Sequence, residues 1–341
     1  MTLIRNTLAL ALGLSLSLGQ AQTAKAQTTP PLLPVTLALD WTPNVNHIGI
    51  YVAQQQGWYK AAGVQLTVLP YASTSPEVLV TAGRADVGIS GAESVTASAA
   101  SQSPVISIAA ILAKNTAAFA VLKSSAVVRP KQLDGKIYAA FGAPYETPII
   151  QRLIRNDGGQ GQFKSPVLSA GGLPALLSKR ADFMWIFEGT EGVEARLAGT
   201  PLRTFSLTAY GVPDYYTPVL VADPARLSAN TPKLRAFLAA TARGYAYAER
   251  YPAEAAALML GAVPKGTFPD PKVLTEGTAW LSSHQAYAQS GQPWGQQTLK
   301  MWTEYPAFLL KAGAIRTPEG KAVKRLDFAS LFTNKLLPQV K

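Results

Sequence analysis

The chain has 341 residues, enough for two domains that share ample core, and its formal net charge is +11 at pH 7. It contains no cysteine, which excludes disulfides, thiolate metal sites, a cysteine nucleophile and a lipid-modified cysteine. Lysine and arginine are dispersed apart from short pairs such as Lys179-Arg180, so we interpret the basic balance as a solvated surface and expect no nucleic-acid partner.

The first 26 residues are typical of an export signal. Arg5 gives a positive start, Leu8 to Leu18 form an apolar run too short to span a membrane, and Ala24-Lys25-Ala26 is a small-x-small cleavage site. An uncleaved anchor is the competing interpretation, but no stop-transfer pattern follows Leu18. We expect cleavage after Ala26, which lowers the formal charge from +11 to +9 because two cations and no acid are removed. The predicted location is periplasmic, and without a cysteine the protein is not expected to be a lipoprotein.

The segment Leu37 to Tyr71 is predicted to fold as a strand, a loop, a helix and a second strand. The apolar run that starts at Val35 ends at Asp40, because Trp41-Thr42-Pro43-Asn44 contains a proline that cannot continue a strand. Apolar positions after His47 suit a helix packed on a sheet, and β-branched residues then alternate in a second strand. This order predicts a βαβ unit.

The loop of this unit holds the first candidate binding residues. In an open parallel sheet, ligands bind outside the carboxyl ends of the strands, so a pocket is expected at the loop. The candidate contacts are Asp40, Trp41, Asn44 and His47. Alternatively, Asp40 and Asn44 only cap the helix and Trp41 only fills core. His47, at the helix start, suits a capping role as well as a ligand contact.

A second candidate segment runs from Gly83 to Ser94. A turn leads into a short buried strand that ends at Ser90, and the small residues there let a ligand approach the backbone. The next helix would aim its free N–H groups at whatever occupies the strand end. Ser90, Gly91 and Glu93 are therefore candidate contacts.

A second domain is predicted to begin after the polar connector at residues 129–136. The strand that opens at Ile137 ends at a glycine and feeds a helix whose N-terminus holds Tyr145 and Glu146. Phe141 lies at the end of the same strand. These three residues are candidate contacts from the second domain.

A later strand of this domain, Ala181 to Phe187, ends at Glu188. Glu188 is the strongest single candidate, because a carboxylate at a strand end beside glycine is poor core material. Trp185 alternates with Met184 and Ile186, so it either reaches the ligand or packs within the sheet.

The order of the elements predicts an α/β protein of two lobes, each with a mixed sheet flanked by helices, joined by two hinge crossovers. Strands from Val105 to Ala113 and from Phe119 to Leu122 are assigned to the first lobe. The predicted boundaries are residues 34–124 and 217–341 for lobe one and 125–216 for lobe two. Gly211-Val212-Pro213 and the connector near Ser124 are the candidate hinges, and Tyr216, where the chain returns, is a candidate contact.

Five segments carry a resemblance to a known family. They are D-W-x-P-N-x-x-H from Asp40, A-D-x-G-x-S-G-x-E-S from Ala85, L-D-G-K with G-x-P-x-E from Leu133, W-I-F-E-G-x-E-G-x-E-A from Trp185, and G-V-P-D-Y-Y-T-P-V from Gly211. Together they resemble the substrate-binding components of ABC importers in the thiamine-pyrimidine precursor family.

The resemblance implies a type II periplasmic binding fold, an ABC permease as partner and an aminopyrimidine held between aromatic rings with carboxylate contacts. A flat heterocycle stacks on rings, while its exocyclic amine and ring nitrogen suit a carboxyl group. The implied rings are Trp41, Phe141, Tyr145, Trp185 and Tyr216. The implied polar contacts are Asn44, His47, Ser90, Glu93, Glu146, Glu188 and Glu191. A monomer without cofactor or metal is expected.

Two alternatives stay open at this stage. One is a different small solute, a sulfonate, nitrate or flavin, although several acids at the strand ends weigh against an anion. The other is catalysis, since the family also contains pyrimidine synthases that use a lysine at the end of the strand matching Val87 to Ile89, a histidine four residues on and a cysteine cluster. This chain has Ser90 and Ser94 at those places and no cysteine, so the sequence predicts that it is not an enzyme.

Overall fold

Two mixed β-sheets organise the chain in the computed structural model, which describes residues 2, 31–101, 104–167 and 172–338. The predicted export signal lies outside the described residues. Leu32–Lys341 form one structural unit. The strands are β1 Leu33–Ala38, β2 Val64–Leu69, β3 Val87–Ser90, β4 Ile106–Ala110, β5 Ala117–Leu122, β6 Tyr138–Ala139, β7 Phe183–Phe187, β8 Leu202–Ser206 and β9 Val219–Ala222.

Strand direction shows where the two sheets meet. The first sheet has the order β2-β1-β3-β9-β4 and the second β6-β7-β5-β8. Only β9 in the first sheet and β5 in the second run antiparallel to their neighbours among these named strands. Each is the first strand after a crossover. A chain that leaves one sheet at a carboxyl end enters the next sheet from the same side, so its first strand there runs antiparallel to the neighbouring strands. The carboxyl ends of the other strands in both lobes therefore face the crossovers.

The two crossovers, residues 111–116 and 207–218, are bonded side by side. The backbone N–H of Asn115 donates to Oδ1 of Asp214 at 3.1 Å, and the N–H of Ile111 donates to the carbonyl of Pro218 at 3.0 Å. The same Asp214 oxygen accepts from the N–H of Tyr215 at 2.9 Å. One carboxylate thus ties both connecting segments together.

The assignment of the strand at Phe119 to Leu122 to the first lobe is wrong. This strand is β5, which pairs with β7 and β8 in the second sheet. The crossover consequently precedes residue 117 and does not lie near Ser124. The second candidate hinge, Gly211-Val212-Pro213, does fall in a crossover. An all-apolar strand is equally suited to the centre of either sheet, so its composition could not assign it.

Helices cover both sheets. They are α1 Ile48–Gln55, α2 Trp58–Ala61, α3 Pro76–Thr81, α4 Ala92–Ser98, α5 Glu146–Asn156, α6 Gly172–Leu177, α7 Val193–Leu197, α8 Leu227–Arg250, α9 Pro252–Ala262, α10 Pro271–Ser283 and α11 Leu299–Lys311. Within the described part of the chain, none is both long and apolar enough to cross a bilayer.

The long helix α8 fixes the position of α1 and of the loop before it. A Cβ on Gly244 would lie 1.9 Å from the carbonyl oxygen of Gly49, so the two helix backbones approach at a distance that requires glycine. Tyr245, the next residue, is fully buried, stacks on Trp294 at 4.8 Å and donates its hydroxyl to the carbonyl of Asn46 at 2.7 Å. The buried side chain of Tyr245 therefore holds the loop after β1 in place.

Candidate functional site

The loop after β1 is held by a buried histidine. His47 is 1% exposed, and its Nε2 lies 2.9 Å from Oδ1 of Asp40. Its Nδ1 accepts from the N–H of Asn44 at 3.4 Å, which leaves Nε2 to donate to the carboxylate. Asn44 Oδ1 in turn accepts from the N–H of Asn46 at 3.0 Å. Asn44 and His47 therefore cap the helix start, as the alternative interpretation of the sequence allowed.

An aromatic pair borders this loop. Trp41 is 50% exposed, and its ring lies 4.9 Å from that of Tyr71, which follows β2. Trp41 does not fill core, so the alternative reading of this residue does not hold. The pair presents flat apolar surface beside the carboxyl ends of β1 and β2.

Two carboxylates lie at the end of β3. Ser90 is buried and donates its hydroxyl to Glu77 in α3. Glu93, in the first turn of α4, is 4% exposed, and a Cβ on Gly91 would lie 2.3 Å from its Oε2. Gly91 thus provides the space that the Glu93 carboxylate occupies. Glu77 was not among the candidates from the sequence, because an acid in the first turn of a helix is also favoured by the helix dipole alone.

Burial raises the pKa of Glu93 to about 7, against an ordinary value of 4.5. A hydrogen bond to its own backbone N–H and the nearby Tyr215 hydroxyl oppose this rise without cancelling it. Tyr215 is itself fully buried and stacks on Tyr305 of α11 at 3.7 Å. Glu93 thus lies beside the stacked rings of Tyr215 and Tyr305, and it titrates close to neutral pH.

Three rings of the second lobe meet at the ends of β6 and β7. The Trp185 ring lies 5.9 Å from Phe141 and 6.4 Å from Tyr145, and those two rings lie 6.1 Å apart. Trp185 also contacts Phe119 of β5 edge-on at 5.2 Å, so it packs in the sheet and reaches the ring cluster. Phe141 is 48% exposed. All three rings were predicted from the sequence.

Glu146 holds the loop that carries this cluster. Its side chain is 3% exposed, and its two oxygens accept from the backbone N–H groups of Phe141, at 3.0 Å, and Ala143. Each oxygen of this carboxylate is thus engaged by a backbone donor of its own loop. Glu146 therefore positions Phe141 and Tyr145.

The ring of Tyr145 joins the two lobes electrostatically. Burial raises the pKa of the Tyr145 hydroxyl well above its ordinary value, and the carboxylates of Glu93, Glu146, Glu77 and Asp40 add to that rise, in this order. Three of these four acids belong to the first lobe, whereas Tyr145 starts α5 in the second. The charged groups that act on this hydroxyl are thus all acidic, and they belong to both lobes; the region between the lobes around Tyr145 is called the gap.

A π-helical turn follows β7 and contains Glu188 and Glu191. Burial raises the pKa of Glu191, whose Oε2 accepts from the N–H of Phe187 at 2.9 Å, so this side chain caps its own turn. The half-buried carboxylate of Glu188 has no hydrogen-bond partner within the described residues. Turns of this kind recur at functional sites.

The same turn packs on α10 of the first lobe. A Cβ on Gly277 would lie 2.4 Å from the carbonyl oxygen of Gly189 and 2.7 Å from Cγ1 of Val45, so the two lobes touch there at backbone distance. An exposed ion pair, Arg196 with Glu276, borders the contact. The lobes are closed on this side of the gap.

The structure does not bring Tyr216 to the gap. Its side chain is 1% exposed, and its hydroxyl accepts from the N–H of Thr298 at 3.0 Å, before α11. The neighbouring Tyr215 faces Glu93 in its place. Adjacent residues of an extended segment point to opposite faces, so choosing the wrong tyrosine is a one-residue error in register. The described residues contain no group of three His, Asp or Glu placed to hold a metal ion.

The chain is similar to several known proteins. A family model described as "NMT1/THI5 like" matches residues 44–255. The chain is 25% identical over 293 residues to the formylaminopyrimidine-binding protein of Halalkalibacterium halodurans, which covers 84% of this chain and 88% of that protein. It is 29% identical over 237 residues to the 4-amino-5-hydroxymethyl-2-methylpyrimidine phosphate synthase of Legionella pneumophila, covering 68% and 74%.

A solved structure supports the fold. The periplasmic aliphatic sulphonate binding protein SsuA from Escherichia coli is similar with a TM-score of 0.63 at 13% identity, covering 90% of this chain and 94% of that one. This similarity confirms the predicted two-lobed type II periplasmic binding fold.

Proposed function

The chain belongs to the NMT1/THI5-like family, and on that premise we propose that it is an extracytoplasmic solute-binding protein for a thiamine-related pyrimidine. The ligand binds in the gap between the lobes and is delivered to an ABC permease. The relative from Halalkalibacterium halodurans, whose name states that it binds formylaminopyrimidine, supports this class of ligand.

One arrangement supports the proposal: the rings of Phe141, Tyr145 and Trp185 cluster in the second lobe, and carboxylates of the first lobe help to raise the pKa of the Tyr145 hydroxyl. Phe141 and Trp185 supply flat apolar surface for a heterocycle, while Glu93 and Glu77 supply acceptors for ring and exocyclic N–H groups. Under this proposal Glu188 contributes a further contact from the second lobe. A sulfonate or nitrate would need cationic or N–H donors where this gap offers acids.

Thermal denaturation with candidate ligands tests the proposal. The ligands are 4-amino-5-hydroxymethyl-2-methylpyrimidine, its 5-formylaminomethyl analogue, methanesulfonate, nitrate and riboflavin. A pyrimidine at about 100 times its dissociation constant should stabilise the fold by about 2.7 kcal/mol, which raises the melting temperature measurably. If only an anion or only riboflavin stabilises the protein, that compound and not a pyrimidine is assigned as its ligand.

Catalysis of the synthase type is disfavoured by the residue at the end of β3. Ser90 occupies the position of the synthase lysine, and its hydroxyl is engaged by Glu77. A serine cannot form an imine with an aldehyde. Incubation with pyridoxal phosphate should therefore give no specific imine absorbance beyond that of surface lysines, and a stoichiometric imine would return the protein to the enzyme class.

A further inference from the structure

The acids that act on the Tyr145 hydroxyl have few basic partners: Asp40 contacts the imidazole of His47 at 2.9 Å. None of Asp40, Glu77, Glu93 and Glu146 is paired with a lysine or arginine among the described residues. Three of the four accept hydrogen bonds from imidazole, hydroxyl or backbone donors: Asp40 from His47, Glu77 from Ser90 and Glu146 from two N–H groups. The fourth, the buried carboxyl of Glu93, has its own backbone N–H and the hydroxyl of Tyr215 as hydrogen-bond partners. The gap therefore carries an excess of negative charge that the protein does not compensate.

Carboxylates without cationic partners repel one another in a partly desolvated gap. This repulsion and burial both raise the pKa of a buried acid, so the acid keeps its proton. A cation between them removes that repulsion and makes charge-assisted hydrogen bonds, which are about twice as strong as neutral ones. A neutral guest of the same shape gains neither effect. The arrangement therefore discriminates by ligand charge.

We propose that the gap binds its pyrimidine as a cation, with an ammonium arm or a protonated ring lying against Glu93, and that the Glu93 carboxyl releases its proton as the cation enters. This inference rests on the proposed function. The balance is simple: the carboxylic acid becomes a carboxylate that pairs with the ligand cation, and one proton passes to the buffer.

The groups that face Glu93 leave it as the residue that titrates. Tyr145 from α5, Tyr215 from the second crossover and Tyr305 from α11 surround it, and burial raises the pKa of all three phenols well above the ordinary value, so they stay neutral. The hydroxyl of Thr217 lies beside Gly91 and does not ionise. His47 contacts Asp40, and the Glu93→Gln variant separates any contribution of His47 from that of Glu93.

Two ligands that differ in one group provide the test. They are 4-amino-5-aminomethyl-2-methylpyrimidine, whose arm is an ammonium at neutral pH, and the 5-hydroxymethyl compound, whose arm is neutral. Calorimetric titration at about pH 6 and about pH 8, each in two buffers of different ionisation enthalpy, measures affinity and proton release. At the higher pH we expect the ammonium compound to bind about tenfold tighter than the hydroxymethyl compound. At the lower pH the ratio of the two affinities should be smaller. Binding of the ammonium compound should release protons to the buffer.

Glu93→Gln should lower the affinity ratio of the two ligands to below about threefold and abolish the buffer dependence, because the amide carries no charge to neutralise. Glu254→Gln makes the same chemical change at an exposed residue of α9 and should keep both. Melting curves show whether each variant is folded.

Each other outcome overturns a specific statement. Equal or tighter binding of the hydroxymethyl compound overturns the charge preference and leaves the proposed function standing. An unchanged ratio in folded Glu93→Gln overturns the role of Glu93. Failure of both pyrimidines to bind the folded protein overturns the inference and the proposed function together.

Discussion

Burial of Glu93 makes the stability of the fold depend on pH. Its pKa in the folded protein is about 7, above the ordinary 4.5, so the folded state holds a proton that the unfolded chain has lost. The stabilisation from protonated Glu93 is therefore fully present below about pH 4.5 and is lost as the pH rises through about 7. The free energy of unfolding should fall by about 3 kcal/mol over that range through this residue.

Chemical denaturation at several pH values measures this effect. Glu191 and Asp214, whose pKa values burial also raises, change stability in the same direction, so the comparison is between wild type and Glu93→Gln. The difference between the two curves should follow the titration of Glu93. A constant difference across the range would contradict the assignment.

Trp185 is expected to contribute ligand affinity as well as packing. Trp185→Ala removes a ring from the cluster with Phe141 and Tyr145 and should weaken binding of 4-amino-5-hydroxymethyl-2-methylpyrimidine about fivefold, since a stacked aromatic pair contributes about 1 kcal/mol beyond its buried area. Calorimetry at saturating protein checks this. Trp58→Ala removes a ring that contacts Arg243 on the first lobe and should leave affinity unchanged. Equal loss in both variants would show that the effect is global.

At the residue scale, the sequence located the strand-end positions better than it located individual side chains. Trp41, Phe141, Tyr145 and Glu93 lie just after strand ends and Trp185 lies within β7, while their contact with a ligand stays a prediction. Their partners depend on contacts between residues far apart in sequence, which no local pattern contains. Examples are the side of the second crossover on which Tyr215 lies and the helix that brings Glu77 to Ser90. Glu77 and Tyr215 were missed for these reasons.

At the scale of elements, the contact between α10 and the π-helical turn depends on glycine. Gly277→Ala should destabilise the closed arrangement by about 1–3 kcal/mol, because the added methyl overlaps the Gly189 carbonyl and a Val45 methyl group. Gly261→Ala is the matched control in α9, where a Cβ meets nothing within 4 Å, and should stabilise by about 0.5–1 kcal/mol. Thermal and denaturant unfolding of both variants checks the opposite signs. Equal effects would show that the contact is not tight.

The two crossovers give a second prediction for elements. Asp214→Ala removes the acceptor for the N–H groups of Asn115 and Tyr215 and should lower the free energy of unfolding by about 2 kcal/mol, the cost of leaving buried donors unpaired. Asp214→Asn keeps an acceptor oxygen at the same place, so most of the lost free energy of unfolding should be recovered in this variant. Denaturant unfolding distinguishes the two. A loss that is as large in the asparagine variant would assign the effect to charge.

The strands themselves were largely predictable from apolar runs and breakers, and β3 and β7 form within a few residues of the expected bounds. The sheet to which β5 belongs was not predictable. Strand pairing is decided by contacts between residues far apart in sequence, and a fully apolar strand satisfies either sheet equally. The error moved the first crossover from its true place at residues 111–116.

At the scale of the whole molecule, the two lobes have separate roles in the proposed site. The first lobe presents acids on the loops after β1, β2 and β3, and the second presents rings after β6 and β7. Neither lobe alone makes a complete site, which is why hinge closure and binding are expected to be coupled. The family match and the fold support such a receptor, and the ligand is the part that experiment must decide.

The most direct measurement is a crystal structure of the protein with 4-amino-5-hydroxymethyl-2-methylpyrimidine. We predict ligand density between the lobes, with the heterocycle against Phe141 and Trp185 and its N–H groups directed to Glu93 and Glu77. Density elsewhere on the surface, or a gap that stays closed and empty at saturating ligand, would contradict the claim that the two lobes form one pyrimidine site.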